Sequence, residues 1–564
     1  MKISRRFYGT GLLLFAITFL LYSCHVFPYL KYFTTLKDGK FHRFGKHAYL
    51  TGSINRYRSC YDVHYYDLDL DVDIVHERIR GRVDIYYSAQ ANFDTLLLDL
   101  HPQLKIDSLG DKNARCHRNK DALFIIYKDG VRAGERKELS IWYSGKPVNV
   151  VGRGAVVWDK DRHGNALVNT TCQGLGAHLW WPCKDLLYDE ADSASISVNI
   201  PKGLFCVSNG KLRKREVNGR KERFTWFVAS TINVYNVSFN IGNYLHFQLP
   251  YKNESGLHGL DFYVLPDNYF RAQEQFKQCA DVISFYEKMF GEYPWWKDGY
   301  KMIETKDKIG GMEHQSAILY GDHYTNTYWG VDYIIVHETA HEWWGNSVTA
   351  MDYNDIWLHE GFANYCEFLY LEHKWGHDVY MNAMVNEMYY SGSIKNKVPV
   401  IKPANVRYSA WINAKRDENI YPKGAIFLHC LRSCIKNDSL FFNLLRTFYA
   451  RHKYGHATTG DLLNLVNEMT GNDYKWLFDQ YLYDYRVPKL QYYYDLTAQP
   501  VKLFYRWSYA HAGLKLPVES VSGKDTTLIY PTAEFNSLVS GDPKQHFIGA
   551  RDAYFFAEHI QDKR

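Results

Sequence analysis

Three things are missing from this 564-residue sequence. There is no basic run or stripe. The formal net charge is +5, of which Lys2, Arg5 and Arg6 supply +3 in an acid-free leader, so the remaining chain carries only +2. Nucleic-acid binding therefore has no electrostatic support. There is no internal repeat and no low-complexity segment, which argues against a solenoid or a tandem array. Nor does the leader supply the roughly 20 apolar residues that a spanning helix needs. In MKISRRFYGTGLLLFAITFLLYSC a basic start precedes an apolar run of only about fifteen residues.

That leader, residues 1–24, reads as a secretion signal. Its LYSC ending resembles a bacterial lipoprotein cleavage site, with Cys24 as the lipidated residue. An uncleaved anchor is the alternative, because apolar residues continue through Phe27 and Leu30. Both place the rest of the chain outside the cytoplasm, in the periplasm or cell envelope and tethered to the membrane through a lipid or an anchor at Cys24. There are ten cysteines. Lipidation of Cys24 would leave an odd number, so at least one thiol is unpaired or pairs between chains. Cys430 and Cys434 sit four apart on an expected helix, where they either bridge or pack as small buried residues.

The chain is too long for one hydrophobic core, and its composition (46% hydrophobic, 23% charged) is that of a globular protein. Residues 25–50 read as a tether. From about 51 to 249, stretches such as YDVHYYDLDLDVDI and RFTWFVAS alternate apolar and polar residues, the pattern of a long antiparallel β region. Helical spacing begins near Asn268 and ends at Gly291 in NYFRAQEQFKQCADVISFYEKMF, and returns around Val331–Val348, Glu360–His373, Pro422–Ile435 and Thr459–Met469. Alternation resumes in KLQYYYDL and VKLFYRWSYA. The expected architecture is multidomain α+β. An N-terminal antiparallel β domain (51–249) precedes a mainly helical domain (250–488) and a short C-terminal β domain (489–564).

The chemistry concentrates in VHETAHEWWGNS. His337 and His341 are one helical turn apart, so both imidazoles share a face. Two neutral ring nitrogens can converge on zinc at about 2.0–2.1 Å, and a catalytic zinc needs one more protein ligand and an open position. Glu338 follows the first histidine and is placed to hold a proton beside that position. A chance occurrence of the pattern in a structural helix remains the alternative on this segment alone. WLHEGFANYCE supplies the test. Eighteen residues separate His341 from Glu360, enough for a helix–loop–helix to return a carboxylate to the metal. Glu367, seven residues on and on the same helical face, can accept from the outer nitrogen of a ligand histidine.

Taken with the surrounding segments, HETAHEWWGN and WLHEGFA resemble the M1 (gluzincin) family of zinc aminopeptidases. KIGGMEHQSAILY stands where that family has its Gly-x-Met-Glu-Asn strand, and YPKGAIFLHCLR provides a tyrosine 61 residues past Glu360. CQGLGAHLWWPCKD and FGEYPWWK also match family segments, and the likeness runs in order over roughly residues 60–490. The resemblance implies a thermolysin-like catalytic domain holding one Zn²⁺ on His337, His341 and Glu360. It makes Glu338 the general base and Tyr421 the donor to the oxyanion. It implies that Glu313 captures the free amino group of a peptide substrate, helped by Gln173. The Gly310, Gly311 and Met312 strand would pair with the substrate backbone. The expected reaction is removal of the N-terminal residue from peptides. A zinc endopeptidase, which would not need Glu313, and a catalytically silent peptide-binding relative are the alternatives. Two positions depart from the family pattern: His314 and His359 stand where asparagine is usual, which bears on substrate preference and pH profile. The short stretch after residue 488 is expected to lack the large helical C-terminal domain of many relatives.

Overall fold

The computed structural model describes residues 54–563, apart from 151–152, 175, 307–309, 322–323, 395–398, 402–417 and 541. The leader, the tether and Cys24 lie outside the described residues.

The alternating segments form the expected β region. In Tyr61–Asp73 the inward set includes Leu68, Leu70 and Val72, all at most 1% exposed, while the intervening aspartates face outward. This strand lies inside a seven-stranded sheet in the order Lys211–Asn218, Lys221–Val228, Ser193–Pro201, Tyr61–Asp73, Arg78–Ala89, Arg136–Gly145 and Leu104–Leu109. The sheet is antiparallel except for one pairing, Tyr61–Asp73 alongside Ser193–Pro201, which runs parallel. Alternation reports which face a residue takes and is silent about strand direction, so the sequence could not show that exception.

The boundary drawn between 249 and 250 cuts through a strand. Leu245–Asn253 and Gly256–Val264 form a hairpin that belongs to the next sheet, because Gly256–Val264 pairs in parallel with Tyr300–Thr305. That five-stranded sheet continues through Ile318–Gly321 to Gly311–Met312, which occupies its edge. An alternating hairpin looks the same whichever sheet it joins, and this one carries no boundary signal.

Helices cover the sheet. The periodic stretch from Asn268 becomes two helices, Tyr269–Gln275 and Lys277–Phe290, with Gly291 in a positive-φ conformation at the end. The helix expected over Val331–Val348 is only Tyr333–Ala340. It is opened by Asp332, whose side chain accepts from the Ile334 and Ile335 amides. It closes because the chain turns through Gly345 (φ 129°) into the strand Val348–Ala350. Trp357–Trp375 and Pro422–Ile435 follow, and they cross at a glycine pair: a Cβ on Gly424 would stand 2.8 Å from Gly361 Cα. From Lys489 onward the chain forms two small sheets, of four and three strands.

The nine described cysteines are free thiols, so Cys430 and Cys434 do not bridge. The acidic residues between 185 and 192 are partnered within the protein. Asp185 accepts from His178, Asp189 pairs with Lys184, and Glu190 accepts from Thr349. Among the described residues no helix is long and apolar enough to cross a membrane.

Candidate metal and peptide site

His337 and His341 project from one face of Tyr333–Ala340 and its cap, and Glu360 reaches them from the first turn of Trp357–Trp375. The two Nε2 atoms are 3.1 Å apart, and Glu360 Oε2 is 3.5 Å from His337 Nε2 and 3.3 Å from His341 Nε2. Ligands about 2.05 Å from a tetrahedral zinc are separated by about 2 × 2.05 × sin 54.7°, or about 3.3 Å. The triangle therefore fits the ion. The outer nitrogens agree. His337 Nδ1 lies 2.8 Å from Glu367 Oε1, and His341 Nδ1 lies 2.9 Å from the Trp344 carbonyl oxygen. Each ring donates outward through Nδ1, which leaves Nε2 as the atom that would face a metal. Gly345 is required here, since a Cβ in its positive-φ conformation would press on His341 and His359 at 3.2–3.3 Å.

Electrostatics point the same way. Burial disfavours the charge on His341, but Glu360 outweighs it and leaves that histidine raised to about 9. Burial likewise opposes ionisation of Glu360, yet the two histidines hold its carboxyl well below the usual carboxylate range. A buried carboxylate thus already faces a pair of imidazoles that favour positive charge, which a divalent cation would supply.

A second cluster overlaps the first. Carboxylate oxygens of Glu313 and Glu338 lie within 4.8 Å of each other and of a His341 nitrogen. Burial raises both carboxyls, Glu313 to about 8. Glu313 Oε1 and Glu338 Oε2 have no hydrogen-bond partner in the protein, an expensive condition unless a ligand or water uses them. Glu338 packs against the edge strand. A Cβ on Gly311 would fall 2.5 Å from Glu338 Cγ, while Gly310 holds φ 118°. Gly310, Gly311 and Met312 therefore lie beside Glu338, and among the described residues Gly311–Met312 is the edge of the sheet.

Tyr421 caps the N-terminus of Pro422–Ile435, its ring 6.1 Å from that of His337 and tilted by 27°. Gln173 donates its amide N–H to Glu360 Oε1, so its nitrogen serves the candidate ligand and only its carbonyl end remains to accept. His314 and His359 are both fully buried, and burial lowers each to about 3, so both imidazoles are neutral. His359 Nε2 accepts from the Ala350 amide at 2.8 Å. His314 consequently adds no charge beside Glu313.

Several residues at this site carried no separate sequence signal. Asn346 donates to the Glu313 carbonyl (3.0 Å) and to Glu342 Oε2 (3.1 Å), and accepts from Asn236 of the N-terminal region (2.6 Å). Asn346 stands inside the quoted HEWWGN stretch, but nothing in spacing shows that its amide fixes a carbonyl thirty-three residues upstream.

Residues 274–481 match the peptidase family M1 domain. Aminopeptidase 2 of Candida albicans is 23% identical, over 72% of this chain and 46% of its own length. Probable aminopeptidase 1 of Sulfurisphaera tokodaii is 24% identical, over 65% and 46%. The chain thus spans about half the length of these curated relatives. Among solved structures, the M1 zinc metallopeptidase from Deinococcus radiodurans superimposes with a TM-score of 0.61 at 20% identity, covering 73% of this chain and 91% of that one. A variant of the same metallopeptidase, solved with a Tyr-Ser-Ala substrate, gives 0.61 at 19%, covering 74% and 93%. These likenesses show a shared fold.

Proposed function

We propose that this chain, which carries a peptidase family M1 domain, is a zinc metallo-aminopeptidase that removes the N-terminal residue from peptides. One observation carries the reading. Glu313, a buried carboxylate with an unpartnered oxygen, stands within 4.8 Å of Glu338 beside the histidine pair. A buried carboxyl at that place, ionised when it pairs with an ammonium, captures a free α-ammonium and leaves only the first peptide bond over the reacting centre. An endopeptidase has no use for it.

His337, His341 and Glu360 would hold the zinc, one ion per chain. When bound, it supplies Lewis-acid polarisation of the scissile carbonyl and acidification of water. Glu338 accepts the proton of the attacking water and returns it to the leaving amine, a transfer worth about 10²–10⁴-fold. Burial raises the Glu338 carboxyl, which moves it toward the range a base working near neutral pH needs. Tyr421 donates to the developing oxyanion. Glu313, with the Gln173 carbonyl, holds the ammonium, while the Gly310–Met312 edge aligns the peptide as an added strand. Glu367 fixes the His337 tautomer. The proposed location, outside the cytoplasm and membrane-tethered at Cys24, rests on the leader sequence alone.

The test is to measure zinc on the purified chain and compare aminoacyl-arylamides with N-acetylated peptides. Free-amine substrates should be cleaved and blocked ones should resist, and Glu313→Gln should abolish the distinction by lowering only the former. Equal cleavage of blocked peptides would favour the endopeptidase. Bound zinc without hydrolysis would favour a silent binding protein.

A further inference from the structure

A second cleft opens where the N-terminal β region meets the hairpin side of the catalytic sheet. Its volume is about 390 Å³, and none of its lining residues belongs to the site above. That size suits a small molecule. Its walls mix aromatic with polar groups: Trp226 packs edge-on to Tyr263 and His258 stacks on Trp296 at 3.9 Å, beside Lys211, Gln248 and Asp261.

Between these walls stand two buried opposite charges, each with unused bonding capacity. Asp298 is fully buried. Its Oδ1 accepts from the Ala229 amide at 2.7 Å, but its Oδ2 has no partner. Lys301 is 3% exposed and gives two N–H groups to the Gly210 and Asp298 carbonyls, at 2.6 and 3.1 Å. An ammonium has three donors, so one is left over. Burial pushes this ammonium down to about 8 against the pull of Asp261 and Asp298. Structural ion pairs in proteins close on each other; here Asp298 Oδ2 is buried and unpartnered at the wall of the cleft, and the Lys301 ammonium lies 5.7 Å from the Trp226 ring with its third donor unassigned.

We propose that this cleft is a second binding site, for a small zwitterion of the amino-acid class. Its ammonium binds Asp298, its carboxylate binds Lys301, and its side chain lies against the Trp226–Tyr263 and His258–Trp296 walls.

The cleft is wired to the candidate catalytic turn. Gly210, which accepts from Lys301, donates its own N–H to Ser316 Oγ at 3.0 Å. The Ser316 N–H donates to Glu342 Oε1 at 2.9 Å, and Glu342 shares Asn346 with the Glu313 carbonyl. Asn209 adds a bond to the Gln315 carbonyl at 2.7 Å. Filling the cleft therefore moves or stiffens the turn that carries Glu313. An aminopeptidase releases amino acids, so the ligand class is that of its own product. This regulatory half rests on the proposed function; the binding half does not.

The binding test is calorimetric titration of L-phenylalanine into the full chain bearing Glu313→Gln, which removes the ammonium site at the metal centre. One saturable site is expected. Asp298→Asn and Trp296→Ala should each weaken it by about tenfold or more, as loss of a charge-assisted bond or an aromatic wall does. L-Phenylalaninamide and N-acetyl-L-phenylalanine, each lacking one charge, should not bind. Absence of saturable binding, equal binding by the amide, or unchanged affinity in Trp296→Ala would overturn the proposal. Trp296 is half-buried, so that variant decides the matter if Asp298→Asn fails to fold. For regulation, L-phenylalanine should change kcat for an aminoacyl-arylamide in the otherwise unaltered chain, and the change should vanish in Trp296→Ala. Purely competitive inhibition that persists in that variant would refute the relay. A chain with no arylamide hydrolysis at all would refute the aminopeptidase reading while the titration still decided the site.

Discussion

Gly311→Ala isolates the placement of Glu338 from its chemistry. Gly311 has no positive φ, so alanine is allowed by its backbone. The added Cβ would lie 2.5 Å from Glu338 Cγ and 2.6 Å from Cδ and Oε1. Ordinary contact begins at about 3.4 Å, so the glutamate must retreat by about 0.9 Å. All three atoms belong to a flexible side chain, so the retreat should cost little stability. Its cost to catalysis is larger. A displacement of about 1 Å in a positioned catalytic group is worth about 10²-fold, or about 2.7 kcal/mol in activation free energy. The expected result is kcat on an aminoacyl-arylamide lower by about 10²-fold, with bound zinc and melting temperature close to those of the unaltered chain. The double variant with Glu338→Gln should be no worse than Glu338→Gln alone, because a base already removed cannot be misplaced. Activity of Gly311→Ala within twofold of the unaltered chain would refute the reasoning, as would full additivity in the double variant.

Other expectations concern the supports of the site and of the fold. Glu367→Ala removes the 2.8 Å contact to His337 Nδ1 and should lower zinc affinity by about 10–100-fold in a chelator competition. Gly424→Ala drives a Cβ to 2.8 Å from the Gly361 backbone, where no side chain can yield, and should cost about 1–3 kcal/mol in urea unfolding. Because the same crossing sets Tyr421 relative to Glu360, kcat should fall alongside stability. Glu190 makes stability depend on pH. Burial raises its carboxyl from 4.5 to about 7, with Thr349, Asn233, Asp189 and His456 facing it. Between those values the folded chain holds a proton that the unfolded chain has lost, so stability falls as pH rises, by at most about 3 kcal/mol. Glu190→Gln should flatten that slope in unfolding curves taken at pH 5 and pH 8.

The parts of the site that were legible in sequence are those whose chemistry fixes a spacing along one element. His337 and His341 must be a turn apart to share a metal, and Glu367 must follow Glu360 by two turns to reach a ligand histidine. The extent of the helix was less legible. Helical spacing runs from Val331 to Val348, but positive φ at Gly345 bends the chain into a strand, and the bend serves His341 by offering it the Trp344 carbonyl. The boundary between 249 and 250 falls inside the strand Leu245–Asn253 because alternation describes faces and not neighbours. The contact between Gly361 and Gly424 was invisible for another reason. Each glycine sits in a helix where propensity alone would prefer alanine, and only the partner helix explains it.

The same distinction explains why the N-terminal β region cannot be a passive appendage. Its side chains and backbone complete hydrogen bonds that the catalytic region leaves open. Gln173 donates to Glu360, Asn236 holds Asn346, Asn209 meets the Gln315 carbonyl, and Gly210 joins Ser316 to Lys301. Most of these groups are buried, so each would stand unsatisfied if the two regions separated. A seam made of apolar contacts could slide without large penalty, whereas directional bonds permit few arrangements. Glu313, the carboxylate proposed to bind the substrate ammonium, is thus held partly through Asn236 and Asn346. On the proposal above, a ligand in the cleft would act on Glu313 through these bonds.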